Sequence, residues 1–464
     1  MKQFSVDFLA QLDGNAQMLA DRLQKKEALI GVVGLGYVGL PIALEFCKKG
    51  FSCIGVDVSS WKIESLKRGQ NFIEDLDDAE VASVVKEGLL RASTNYEDLA
   101  DADIIYIAVP TPFNANKDPD LAYIISAGEG IREILRPGQL IILKSTTFPG
   151  TTENYLIPVL NQSGYEAGKD YYIAFSPERV DPGNKVFHTG NTPIVVGGID
   201  ENSTILASLT NNQVVEKVYM VNNPKVAELE KLLENIFRSV NIALVNELAL
   251  LCERMGGINV WEVVEAASTK PFGYLKFMPG PGVGGHCIPI DPYYLSWLAR
   301  EYDFETKFIT LAANVNESMP YHVCNLVIRE VARQPITLGD ARILLLGASF
   351  KKNVKDLRHS PSEAIIHRLM EEGIQNIDYS DPWAPEYEAV GRVFYSVELT
   401  PENIASYNCV ILVTDHDDFD VDYIVKHSRH VVDTRNMTAG VKEGREKITL
   451  LGHTSAKKKF EMQH

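Results

Sequence analysis

Residues 28–41, "ALIGVVGLGYVGLP", join a short apolar run to a glycine turn and the opening of a helix. The run has the length and composition of a strand buried on both faces, and "YVGLPIALEFCKKG" continues at helical intervals. Between them Gly34, Gly36 and Gly39 stand at GxGxxG spacing. Gly34 permits the tight turn, Gly36 lets the backbone approach a pyrophosphate, and Gly39 lets the helix lie close to the strand. The helix N-terminus then faces the phosphate charge. Alone, this pattern is weak. Its weight comes from the next run, "SCIGVDV", whose Asp57 lies 18 residues beyond Gly39. A carboxylate there accepts bonds from an adenosine ribose and repels a 2′-phosphate, so NAD is expected rather than NADP. A glycine-rich turn beside a surface aspartate is the plainer explanation, and it does not account for strand, helix and acid in one unit. Lys62 reads equally as a contact to the adenine side or as a solvated lysine.

The same rhythm extends outward. "ADIIYIAVP", "QLIILKST", "YYIAFSPE" and "TPIVVGG" read as further strands, closing a domain near residue 212. A single helical pattern then runs from about Pro224 to Met255, with Asn223 as N-cap, Pro224 at the first helical position and Gly256 and Gly257 at its end. Most of its faces are apolar, which predicts burial among other helices. Around residue 340 the alternation returns in "ARILLLGASF", "NIDYSDP", "CVILVTDH" and "HVVDTRN". The fold class is therefore α/β, two doubly wound Rossmann-like domains joined by a long central helix. The expected division is 1–27, an N-terminal helical extension; 28–212, an NAD-binding domain; 213–335, a central helical dimerisation domain carrying a cysteine loop; 336–450, a second Rossmann-like domain; and 451–464, a polar tail.

Composition narrows the function. A chain of 464 residues exceeds what one hydrophobic core serves. Its 45 Lys and Arg against 62 Asp and Glu give a net charge of −17, a poor balance for nucleic acid or an anionic membrane. No uninterrupted apolar run approaches the roughly 20 residues of a membrane span. The N-terminus lacks a signal-peptide core, and six scattered cysteines have neither metal-ligand nor disulfide-framework spacing. Reduced thiols in the cytoplasm, and no metal, are the expectation.

One of those cysteines stands apart. In "GPGVGGHCIPIDPYYLSWLAR", residues 280–300, Cys287 follows four glycines, including Gly284, rather than a periodic apolar run. Burial is the usual fate of a cysteine without a disulfide, but glycines let a substrate approach and leave sulfur uncovered. A nucleophilic thiol is the better reading. Asp291 reads as the N-cap of a following helix, whose start near the thiol would favour thiolate. On the long helix Lys231 and Asn235 are four apart, within a polar stripe continued by Glu234 and Arg238. That stripe suits a salt-bridged subunit face as well as a cleft. "KSTTFPG" places Ser145, Thr146 and Thr147, and "SPERVDPG" places Glu178 and Arg179, beyond strand ends where doubly wound sheets bind ligands. "SFKKNVKDLRHSP" gathers Lys351, Lys352, Lys355 and Arg358, a basic cluster that fits a pyrophosphate or an ordinary solvated loop.

In order along the chain, "GLGYVGLP", "VPTP", "KSTTFPGTTE", "SPERVDPG", "KLLENIFRSVNIALVNE", "GPGVGGHCIPIDP" and "SFKKNVKDLRHSP" closely resemble the UDP-glucose/GDP-mannose dehydrogenase family, from about residue 28 to 440. The resemblance implies a homodimer or higher oligomer, a UDP-sugar-binding role for the domain at 336–450, and oxidation of a sugar 6-hydroxymethyl group to a carboxylate with two NAD and one water. Carried over residue by residue, it makes Cys287 the nucleophile of a thiohemiacetal and then a thioester, assisted by Asp291. Lys231 and Asn235 stabilise a developing alkoxide, and Thr146 and Glu178 order water, with Glu178 as general base. The cofactor side takes Gly34, Gly36, Tyr37, Val38, Gly39, Asp57, Lys62, Pro110, Thr111, Thr146 and Arg358. The substrate side takes Glu178, Arg179, Lys231, Asn235, Gly284, Phe350 and Lys351, with Phe272 as a further packing residue. Two positions depart from the UDP-glucose enzymes: His286 precedes the cysteine, and Pro182 occupies the place of a second carboxylate, for which Asp181 is a substitute. With "TKPFG" and "GGHCIPIDPYYL", these resemble the branch acting on UDP-N-acetylhexosamines, which supplies uronic acids for bacterial surface polysaccharides such as O-antigen. UDP-N-acetylglucosamine is the expected substrate, with UDP-glucose and UDP-N-acetylmannosamine as alternatives. A two-electron 3-hydroxyacid type of dehydrogenase would not need the thiol, and a non-catalytic NAD-binding module would not need the Lys, Asn, Cys, Asp and Glu set.

Overall fold

The structure is a computed structural model that describes residues 12–455 except 74, 75, 115, 182, 185 and 286. The first eleven residues of the expected extension, the end of the polar tail from 456, and the departures at His286 and Pro182 lie outside the described residues. The chain divides into two compact units, residues 1–234 with 297–302, and residues 235–296 with 303–464. The central region expected over 213–335 is thus shared between them.

The first unit is built on eight short strands: β1 (Ile30–Val33), β2 (Cys53–Val56), β3 (Leu90–Ser93), β4 (Ile104–Ile107), β5 (Leu140–Leu143), β6 (Tyr172–Phe175), β7 (Ile194–Gly198) and β8 (Val218–Val221). Their order is β3-β2-β1-β4-β5-β6-β7-β8, antiparallel only between β6 and β7. Every residue of β1, β2, β4, β5, β6 and β7 is buried. Fully burying one such Ile, Val or Leu side chain contributes about 1.5–3 kcal/mol. The edge strand β3 and the strand β8 were not expected, because "LRAS" and "VYMV" are partly exposed and carry no continuous buried apolar pattern. Through β8 the sheet continues past residue 212. Val33 pairs in register with Val56 and with Ile107, so the carboxyl ends of β1, β2 and β4 line up at the point where strand order reverses.

Among the described residues seven helices accompany this sheet: α1 (Gly14–Gln24), α2 (Gly39–Lys48), α3 (Ser60–Lys67), α4 (Asp78–Lys86), α5 (Ala122–Arg132), α6 (Ile157–Leu160) and α7 (Glu201–Asn211). Helix α1 is the described part of the extension. Asp13 caps it by accepting the Asn15 and Ala16 N–H groups, and Ala16, Leu19, Ala20 and Leu23 join the core where α1 packs against α7. It is therefore an integral layer of the first unit.

Helix α8 (Pro224–Met255) begins and ends as expected. The Asn223 side chain accepts the Val226 N–H at 3.0 Å, and Gly256 and Gly257 turn left-handed with φ of 70° and 74°. Most of its faces were expected to be buried, and within this chain one face is. Lys231, Leu232, Asn235, Ile236 and Ser239 are buried, whereas Leu229, Leu233, Phe237, Leu244, Leu248 and Leu251 are exposed along the opposite face. By length and composition α8 also passes for a membrane span, with 44% of its most apolar window buried inside the protein.

After α8 come α9 (Val260–Ser268), α10 (Asp291–Ala299), α11 (Lys307–Val331), α12 (Pro361–Glu371), α13 (Pro401–Ser406) and α14 (Val421–His427). The second sheet holds β9 (Arg342–Leu346) and β10 (Asn376–Ser380), and a separate hairpin pairs β11 (Glu386–Ala389) with β12 (Arg392–Tyr395). With β13 (Cys409–Leu412), β14 (Val431–Asp433) and β15 (Ile448–Leu450) the parallel order is β10-β9-β13-β14-β15. The two sheets share one local design. Gly34 N–H donates to Val56 O at 2.8 Å, and Gly347 N–H donates to Ser380 O at 2.9 Å. Asp57 and Asp381, the residues after those acceptors, each take backbone N–H groups from the glycine turn. This supports an internal duplication that sequence identity alone barely shows.

Candidate active site

In the first unit the glycine turn does what its spacing implies. A Cβ on Gly34, which has φ of 92°, would collide with the Ala108 carbonyl, and one on Gly39 would collide with the Gly34 carbonyl. At Gly36 a Cβ would meet nothing within 4 Å, so this is the open position where a phosphate can approach. Tyr37 is exposed and Val38 half-buried at the start of α2. Asp57 is buried, and its Oδ2 accepts the Leu35 N–H at 2.8 Å and the Lys62 ammonium at 2.9 Å. Its Oδ1 accepts the Ser59 N–H at 2.9 Å. Lys62 is thus committed to the aspartate rather than simply solvated. Beyond β4, Pro110 is exposed and Thr111 buried.

The ends of β5 and β6 carry a second cluster. Glu178 accepts the N–H groups of Arg179 at 2.8 Å and Val180 at 3.1 Å through Oε1, while its Oε2 lies 3.3 Å from the buried Lys144 ammonium. Burial pushes the Glu178 carboxyl up, but Lys144, the Arg179 N–H and Lys231 outweigh it and hold the group below the ordinary carboxylate value. Glu178 is therefore an ionised, weakly basic carboxylate. Lys144 was not singled out from the sequence, although a lysine ending a buried strand in "QLIILKST" was a visible signal. Thr146 is half-buried here, while its neighbour Thr147 shares a 2.7 Å hydrogen bond with Thr151. Ser145 donates to Val109 O at 2.7 Å.

The first turns of α8 fasten both loops. Glu228, fully buried, accepts the N–H groups of Gly150 and Thr152 at 2.6 and 2.9 Å and the Thr152 hydroxyl at 2.7 Å. Arg179, expected at substrate, is engaged by Glu230 and, at 2.6 Å, by Glu234. Lys231 is buried between these positions in sequence.

In the second unit Asn235 donates from Nδ2 to Asp291 Oδ2 at 2.5 Å, and both side chains are buried. Asp291 is not the N-cap that the sequence suggested. Its own N–H donates to Cys287 O at 2.9 Å, so the helical turn leading into α10 starts at the cysteine and Asp291 lies inside it. Cys287 is exposed, whereas Cys47, Cys53, Cys252, Cys324 and Cys409 are all buried.

The glycines before it have a role that the sequence did not disclose. A Cβ on Gly284 would stand 2.6 Å from Phe350 Cβ and 2.9 Å from His359 O. Gly285 has φ of 86° and donates its N–H to Arg358 O at 3.0 Å. They let the cysteine loop pack against the basic loop 349–361, and part of Phe350 is used in that packing. The basic loop is itself anchored from below. Asp381 Oδ2 accepts the Ala348 and Ser349 N–H groups at 2.7 and 2.9 Å and faces His416 Nε2 at 3.2 Å. His416 Nδ1 accepts the Asn353 N–H, which places the ring proton on Nε2 toward Asp381. Burial raises Asp381, but His416 and the backbone donors hold it below its ordinary value. Arg358 forks onto Asp356 at 2.9 and 2.5 Å, Lys352 pairs with Asp417 at 2.5 Å, and Lys351 is half-buried. Phe272 is exposed beneath the Lys270 ammonium.

Three family models match consecutive parts of the chain. They are described as the NAD binding domain, central domain and UDP binding domain of the UDP-glucose/GDP-mannose dehydrogenase family, over residues 28–222, 225–318 and 344–440. The chain is 35% identical over 396 residues to a UDP-N-acetyl-D-glucosamine 6-dehydrogenase of Pseudomonas aeruginosa, covering 85% of this chain and 92% of that one. It is 33% identical over 445 residues to a UDP-N-acetyl-D-mannosamine dehydrogenase of Methanococcus vannielii, covering 93% and 98%. Among solved structures, a UDP-D-ManNAc dehydrogenase from Pyrococcus horikoshii superposes with a TM-score of 0.82 at 31% identity, over 91% of this chain and 99% of that one.

Proposed function

This chain belongs to the UDP-glucose/GDP-mannose dehydrogenase family, and from that membership we propose that it oxidises C6 of UDP-N-acetylglucosamine to the carboxylate. It is an NAD-dependent nucleotide-sugar dehydrogenase. Both UDP-N-acetylglucosamine and UDP-N-acetylmannosamine enzymes stand at similar identity, so the N-acetylhexosamine class is supported and the glucosamine epimer is the finer proposal. The observation that carries the chemistry is the exposure of Cys287, alone among six cysteines, at the foot of α10.

The glycine turn fits NAD. Gly36 leaves the backbone open to a pyrophosphate, and Asp57 has three donors for about four acceptor sites, leaving one for a ribose hydroxyl. Tyr37, Val38, Pro110 and Thr111 would border it. Bound there, NAD supplies the hydride acceptor for each of the two oxidation steps. Cys287 adds through sulfur to the aldehyde-level carbon and then carries the acyl group as a thioester, which water cleaves. Lys231 and Asn235 stabilise negative charge on the sugar oxygen. Glu178, kept ionised, orders water with Thr146, and its depressed basicity favours orientation over outright proton abstraction. Asp291, held by Asn235, assists at the thiol. Lys351, with Arg358 and Phe350, serves the nucleotide end of the substrate.

The reading extends to assembly and setting. The exposed apolar stripe of α8 is the kind of surface a second copy covers, which supports a homodimer. The uronic acid product suits acidic surface polysaccharides such as O-antigen, and the cytoplasm supplies NAD and UDP-sugars. Incubation with NAD and a panel of UDP-N-acetylglucosamine, UDP-N-acetylmannosamine and UDP-glucose tests the proposal. Two NADH and one uronate per UDP-N-acetylglucosamine are expected, and a higher kcat/KM for either other sugar would reassign the substrate. A single NADH with aldehyde released would overturn the thioester chemistry.

A further inference from the structure

Arg179 sits next to Glu178 in sequence, and its guanidinium is gripped by α8. One nitrogen, Nη2, meets Glu230 Oε1 and Glu234 Oε1, while Nη1 donates to Pro193 O at 2.9 Å. Through its own backbone N–H the same residue donates to the Glu178 carboxylate at 2.8 Å. We infer that Glu230 and Glu234, acting through Arg179, are positioning residues that hold the Glu178 carboxylate in place for the reaction. This rests on the dehydrogenase reading above.

Two carboxylates on one guanidinium nitrogen leave the cluster one negative charge in excess. The Arg179 side chain is 19% exposed and that of Glu230 24%, so water screens the excess only in part. Arg179 Nε and Glu230 Oε2 are buried without a hydrogen-bond partner, so neither distributes that charge further. Burial, then the neighbouring Glu234, push the Glu230 carboxyl up to about 7, and Arg179 only partly opposes them. The charged groups that act on it are Glu234 on α8 and Arg179 on the segment after β6, and Glu178, bonded to the Arg179 N–H, is in turn faced by Lys144 at the end of β5 and Lys231 on α8. Above neutrality both carboxylates grip Arg179. Below it Glu230 takes a proton, and the guanidinium keeps one full counter-charge. The clamp therefore tightens as pH rises through neutrality.

The experiment compares pH profiles of kcat and KM, with NAD and UDP-N-acetylglucosamine, for the wild type, Glu230→Gln and Arg179→Lys. The wild type should show a limb of kcat rising through about pH 7, and Glu230→Gln, which cannot ionise, should flatten it by at least threefold with the KM for NAD unchanged. Arg179→Lys, which keeps charge but loses the fork, should lower kcat about tenfold, with an unchanged melting temperature excluding general misfolding. Wild-type turnover with both variants indistinguishable from it would overturn the inference alone. A wild type that oxidises no UDP-sugar would overturn the reading beneath it as well.

Discussion

The Asn235 amide and the Asp291 carboxylate, 56 residues apart, meet at 2.5 Å with both side chains buried. The bond ties α8 to the helical turn that Cys287 begins. Removing the donor takes one hydrogen bond from a buried carboxylate, so Asn235→Ala should destabilise the protein by about 1–3 kcal/mol. Asp291→Asn keeps the shape but not the charge, and should lower kcat by about 100-fold while perturbing the melting temperature less. Thermal unfolding and steady-state kinetics separate the two; an unshifted melting temperature for Asn235→Ala would deny the bond its structural role.

Thiol accessibility gives a direct check on the nucleophile. Five cysteines are buried and Cys287 is exposed, so brief treatment of native protein with iodoacetamide should modify a single residue. Peptide mass spectrometry should locate the label at Cys287, with turnover lost in proportion. Labelling spread over several cysteines, or full turnover by the labelled protein, would contradict the assignment.

Lys144 and Glu178 form a buried pair whose pH dependence has a definite sign. The folded Glu178 value lies below its unfolded value near 4.5, so the stabilisation is present above pH 4.5 and is lost as pH falls through the folded value. Lys144→Met removes the ammonium paired with the buried carboxylate, at a cost of about 3–5 kcal/mol near neutrality. That deficit should shrink on acidification, because the carboxyl can then be protonated. Denaturant midpoints between pH 4 and 8 would show this, and a deficit constant across that range would exclude it.

Cofactor choice rests on Asp57, which holds Lys62 at 2.9 Å. Asp57→Ser removes both the ribose acceptor and the repulsion of a 2′-phosphate, and it releases Lys62 to meet that phosphate. The ratio of kcat/KM for NADP to that for NAD should rise by about tenfold or more. An unchanged ratio would show that selectivity lies elsewhere.

The local parts of this protein were legible before any coordinates. Buried strands announced themselves by composition, the glycine turn by spacing, and α8 by Asn223, Pro224 and the two glycines that end it. Each depends on the backbone preferences of adjacent residues, which sequence records directly. Edge strands β3 and β8 escaped because partial exposure erases the apolar pattern.

What the sequence determined by itself was therefore two α/β halves, a dinucleotide turn with its acid, and a cysteine set apart from every hydrophobic run. The tertiary structure decided which charges meet. Lys144 found Glu178, Arg179 found Glu230 and Glu234, Asp381 found His416, and Gly284 proved to be shaped by Phe350. Those partnerships depend on strand order and on which loops emerge at the same sheet edge, and no periodicity along the chain encodes distance through space. The exposed face of α8 follows the same logic: apolar spacing shows that a surface seeks cover, and only packing shows which part of it the chain covers itself.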